Sequence, residues 1–130
     1  MSERVTDTNA MISGMNPVLL ADTYAFVFWP HDVPWPEGTV ASYVEPEGLS
    51  LIIPAQAAPA EAAAMRCITL QVNSALDGVG LTAVVSSALA QARIPANVVA
   101  AYHHDHVYVP ADMAERAFAI LTDLQKDAAQ

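Results

Sequence analysis

The chain is poor in the residues that recognise phosphate: one lysine, Lys126, and four arginines stand against fourteen acidic side chains, for a net charge of −9. With no basic stripe to neutralise a phosphate backbone, nucleic acid is excluded as a partner, and anionic membrane surfaces with it. There is a single cysteine, Cys67, so no internal disulfide can form. Set between Arg66 and Ile68 in an apolar run, it reads as a small buried hydrophobe. No stretch approaches the roughly 20 apolar residues of a membrane span, and residues 1–10 hold no run of the signal-peptide kind. A cytoplasmic location is the expectation. Also lacking are a nucleophile elbow, a phosphate loop, zinc-ligand spacing and paired catalytic carboxylates, so no catalytic residue is assigned and no cofactor is expected. The pair Gly78-Val79-Gly80 is too short for a dinucleotide fingerprint.

What the chain does have is apolar mass. Hydrophobic residues make up 54% of 130 positions and mean hydropathy is +0.31, enough for a substantial core. That length suits one compact domain or two very small ones. One globule with an internal duplication is expected.

Met11, Ile12, Met15 and Leu19 have helical spacing broken by Pro17, which predicts a short amphipathic helix ending near Met15. Residues 24–29, aromatic and β-branched and closed by Pro30, predict a buried strand. Pro30, Pro34, Pro36 and Gly38 forbid regular structure in the loop that follows. Residues 39–44 and 49–53 flank a turn at Glu45-Pro46-Glu47-Gly48 and predict a hairpin. The alanine-rich stretch 55–65 contains Pro59, predicts a helix or an irregular connector, and marks the boundary between two halves. Residues 66–72 then read as a strand, 79–92 as a helix, 97–102 and 107–109 as strands, and 111–126 as a helix entered from Pro110.

The strand-to-helix turn Leu76-Asp77-Gly78-Val79-Gly80 is the one segment suited to a small ligand. Gly78 and Gly80 let the backbone turn sharply, and the unpaired N–H groups around Val79, Gly80, Leu81 and Thr82 attract a carboxylate. Asp77 is placed to take the ammonium of the same zwitterion. Against this, Asp77 or Ser74 caps the helix and the glycines serve a tight connection. His103-His104-Asp105-His106 invites a metal, with His104 and His106, or His103 and Asp105, on one side of a strand and a third ligand, such as His31 or Asp32, arriving from elsewhere. The preferred reading is a hairpin turn in which Asp105 accepts hydrogen bonds, with no metal. Trp29 and Trp35 either edge a pocket or close the core beside Phe26 and Phe28, the second being preferred.

Three segments together resemble the ACT-domain superfamily: residues 45–49, residues 76–82, and Asn97-Val98-Val99-Ala100 with the run from His103 to Pro110. In particular, they are similar to small bacterial tandem ACT-like proteins related to aspartate kinase regulatory and CASTOR-type domains. The resemblance implies an α+β fold of two ferredoxin-like, βαββαβ-type halves, residues 1–64 and 65–130, with antiparallel sheets and helices on one face. It also implies a regulatory sensor binding an amino acid or similar small zwitterion and acting through a regulated partner protein or a homo-oligomer. On that basis Ser74, Asp77, Gly78, Val79, Gly80, Leu81 and Asn97 are the ligand-binding candidates, Asn97 being a turn residue on the other reading. The rival expectation is a ligand-free structural or oligomerisation module built on exposed strand edges.

Overall fold

Asp7 caps the first helix: its carboxylate accepts the amide of Ala10 at 2.8 Å, satisfying one free N–H at the start of α1, Thr8–Ser13. In this computed structural model residues 7–73 and 78–130 are described. Six strands follow: β1 (Pro17–Trp29), β2 (Ala41–Glu45), β3 (Gly48–Pro54), β4 (Met65–Leu70), β5 (Asn97–Ala100) and β6 (Asp105–Pro110). Two further helices, α2 (Leu81–Gln91) and α3 (Ala114–Ala129), complete the described elements. Every strand pairing is antiparallel, and all six strands join one sheet in the order β2-β3-β1-β4-β6-β5.

Strand alternation decides what each face holds. Ile68, Leu70, Val107 and Val109 project to one side, where they bury Met11 and Ile12 of α1, Leu81, Val85 and Leu89 of α2, and Ala117 and Leu121 of α3. All three helices therefore share one face. Each large side chain buried there contributes on the order of 1.5–3 kcal/mol relative to exposure. Gln125 ties α3 to the end of α1, donating to the Ser13 carbonyl at 2.9 Å and to Asn16 Oδ1 at 2.8 Å.

The opposite face carries Tyr24, Ile52, Met65, Cys67 and Tyr108, with no helix over it among the described residues. The sheet curls about this face, because Ala41 of edge strand β2 and Val99 of edge strand β5 line the same cavities. Its centre holds an irregularity: the β1–β4 register shifts between Leu19 and Thr23. The Leu20 carbonyl in that gap accepts both Nε and Nη2 of Arg66, at 3.1 and 2.7 Å. A charge-assisted pair thus replaces the missing ladder bonds.

The expected pair of sheets is a single sheet, because β1 and β4 pair with each other at its centre. A βαββαβ order is not found in residues 7–64, which give one helix and then three strands. Pro30, Pro34 and Pro36 occupy the β1–β2 connection, whereas the β4–β5 connection contains α2. Residues 55–57 form only one 3-10 turn. The tryptophans also depart from expectation. Trp29 packs on Leu49, Leu51 and Ile53 with its indole donating to the Val33 carbonyl at 3.1 Å, on the face opposite Phe26 and Phe28. Phe28 is 67% exposed and Trp35 is 50% exposed, so neither closes the core.

Candidate functional site

Ser74 and Asp77 lie outside the described residues, so the site is built from Gly78 onward. Gly80 precedes α2 in the left-handed region, at φ +107°. Thr8 of α1 packs against it and its hydroxyl donates to the Val79 carbonyl, so the start of α1 holds the entrance to α2. Among the described residues the α2 N-terminus carries no side-chain cap, and its first turn holds no acidic residue. Leading N–H groups of a helix are worth typically about 0.3–1 kcal/mol to an anion at an exposed end. Val79 is exposed beside them, whereas Leu81 is buried in the core and anchors the helix.

Asn97 stands apart from that turn. It pairs with Tyr108 across β5 and β6, which puts it on the curled face, while α2 packs on the side of Val107 and Val109. Within one chain the sheet separates Asn97 from the turn.

The histidine run divides between turn and strand. His103 and His104 lie in the β5–β6 connection, closed by the Ala101 amide donating to the His104 carbonyl at 3.0 Å, and Asp105 and His106 open β6. His106 Nδ1 sits 3.0 Å from Thr69 Oγ1 on β4. Burial lowers the His106 pKa and a nearby His104 charge lowers it further, against the pull of Asp105. Burial raises the Asp105 pKa, with His106 and His104 opposing. Among the described residues no three His, Cys, Asp or Glu side chains gather in a metal-binding group, and neither His31 nor Asp32 joins this cluster.

A second polar group escaped the sequence reading. On the curled face Cys67 stands opposite Tyr108 across β4 and β6, and its sulfur lies 3.8 Å from Thr69 Oγ1, which reaches His106. Burial raises the pKa of Cys67 and of Tyr108. The signal was present as a period of two: Cys67 and Thr69 on one strand, His106 and Tyr108 on its neighbour.

Comparison with known families bears on the whole chain. A family model of the ACT domain matches residues 5–68, and a second matches residues 63–123. The chain belongs to the ACT-domain superfamily. ACT domains are regulatory, and they commonly bind small molecules, amino acids above all. The ACT chain here is similar to a protein of unknown function from Vibrio cholerae, described as a possible transport protein, with 35% identity over 90% of this chain and 94% of that one, at a TM-score of 0.73. It shares its fold with a protein from Agrobacterium tumefaciens at 20% identity, covering 84% and 87% of the two chains, TM-score 0.67. A search of curated proteins finds no match. No helix among the described residues is long and apolar enough to cross a membrane.

Proposed function

We propose that the chain is a regulatory sensor that binds an amino acid or similar zwitterion at the entrance to α2 and acts through a partner protein. The carrying observation is a helix N-terminus with no side-chain cap among the described residues, entered through Gly80 and with no acidic side chain in its first turn to compete with a ligand carboxylate. Membership of the ACT superfamily supports an amino acid as the occupant. The ligand carboxylate meets the amides from Val79 to Thr82, Gly78 leaves room for its approach, and Ser74 and Asp77 take its ammonium and polar edge. Asn97 serves such a ligand only from a second copy.

The reading also includes two ACT-like halves, residues 1–64 and 65–130. The strand order is symmetric about the β1–β4 pair, with β3 and β2 on one side and β6 and β5 on the other. Each half leaves its third strand through a proline in the same conformation, Pro54 at φ −56°, ψ 136° and Pro110 at φ −52°, ψ 138°, followed by a 3-10 turn.

A thermal-shift panel of the common amino acids tests the reading. Ligand at about 100 times its Kd adds roughly 2.7 kcal/mol, several degrees for a domain of this size. A flat panel at millimolar concentration contradicts it. A second reading, a ligand-free module that self-associates, draws on the exposed edge strand β2, where Tyr43 is 73% and Val44 is 71% exposed. Concentration-dependent sedimentation together with a flat panel favours that reading.

A further inference from the structure

The curled face of the sheet holds a partly open cavity of about 220 Å³, lined by no helix residue among the described residues. Strands from the whole width of the sheet wall it: Tyr24 of β1, Cys67 of β4, Tyr108 and His106 of β6, and Ala41 and Val99 from the two edge strands. A second cavity of about 180 Å³ adjoins it, sharing Ala41 and Val99 and adding the Phe26 ring and Ile52. A dry apolar cavity of about 150 Å³ is enough to bind benzene. The larger of these two therefore accepts a single ring, and the smaller one a substituent.

The walls say what kind of molecule fits. Tyr108 forms the floor, with Tyr24 edge-on at 6.0 Å between centroids and Phe26 edge-on at 5.3 Å. Such perpendicular aromatic packing extends naturally to one more ring. No Asp, Glu, Lys or Arg side chain lines either cavity among the described residues. An ion would lose its hydration there with no opposite charge to replace it. Tyr24, Cys67, His106 and Tyr108 are the polar residues lining the larger cavity, and Thr69 links two of them in a chain, its Oγ1 standing 3.8 Å from the Cys67 sulfur and 3.0 Å from His106 Nδ1. His106 gives Nδ1 to Thr69, and so Nε2 is the ring nitrogen left to a ligand.

We infer that this cavity is a second ligand site, specific for an uncharged molecule of one-ring size that carries a hydroxyl group. Its ring rests on Tyr108 between the two edge strands and its hydroxyl joins the chain ending at His106. The site is independent of the zwitterion site at α2, which lies on the far side of the sheet.

Phenol is the probe, and the readout is the backbone amide spectrum of isotopically labelled full-length protein. Phenol is expected to shift the amides of Tyr24, Cys67, Val99 and Tyr108 saturably, with a midpoint on the order of 1 mM. Benzoate, the same ring with a charge, is expected to give no saturable shift. Two variants fill the cavity from opposite edges, Val99→Phe and Ala41→Phe, and whichever retains a dispersed spectrum is expected to lose the phenol response. Val79→Asp, at the α2 entrance, is expected to keep it. Shifts that stay linear to the solubility limit overturn the inference, as does a folded filled variant that binds phenol like the wild type. Equal binding of benzoate overturns the assignment to uncharged ligands.

Discussion

Thr8 and Gly80 lie so close that no side chain fits at position 80: a Cβ there would stand 2.8 Å from Thr8 Cγ2 and 3.0 Å from its hydroxyl oxygen. The backbone at Gly80, with φ +107°, is also one that other residues rarely adopt. Gly80→Ala is therefore expected to lower stability by about 1–3 kcal/mol in urea unfolding. Combined with Thr8→Ala it should cost less than the sum of the two single changes, since the second removes the atoms the first collides with. Strict additivity would show that strain at position 80, and not Thr8, sets the cost.

Unfolding is expected to be a single transition by calorimetry and by circular dichroism. Met11 near the start of the chain and Leu121 near its end are buried in one cluster, and β1 and β4 form the middle of one sheet. Met11→Ala and Leu121→Ala should each cost about 2–5 kcal/mol and move the whole transition. Two separable transitions would mean that residues 1–64 and 65–130 fold independently.

Cys67 is 1% exposed and burial holds its thiol above the ordinary value of 9.0. The native protein is expected to resist iodoacetamide at pH 8 and to react fully once denatured. Rapid alkylation of the native state would contradict the packing of the curled face.

The acid side of the stability profile should carry two slopes of opposite sign. His106 is lowered from 6.5, so below that value the unfolded chain binds more protons and stability falls as pH falls. Asp105 is raised from 3.8, so between that value and its raised one the folded chain holds more protons and stability gains as pH falls. His106→Gln is expected to flatten the first slope and Asp105→Asn the second, followed by urea midpoints across pH 7.5 to 3.5. A wild-type slope in His106→Gln would assign the effect to another group.

Local pattern made most elements legible. The alternation around residues 41–53, the helical spacing of Leu81, Val85 and Leu89, and Pro110 before the last helix all lead to elements the structure contains. The extent of β1 was not legible, because Ala21 and Asp22 interrupt its apolar run where the register shifts and Arg66 fills the gap. A partner 46 residues away leaves no mark on local periodicity. The curled face was hidden for a related reason. Phe26 and Phe28 look like core, yet alternation puts them opposite Trp29, on the side that no helix covers among the described residues. At the glycine turn, sequence indicated an anion-binding helix end, and the structure added Thr8, which holds Val79 and Gly80 in place.

The most direct measurement is a side-by-side amino-acid panel on the wild type and Val79→Asp. Val79 is 77% exposed, so the change leaves the core intact while setting a carboxylate beside the α2 N-terminus, where a ligand carboxylate is to bind. The account predicts that at least one amino acid raises the wild-type melting temperature by several degrees and that Val79→Asp, folded as well as the wild type, loses that response. A flat wild-type panel, or an equal response in the variant, would contradict it.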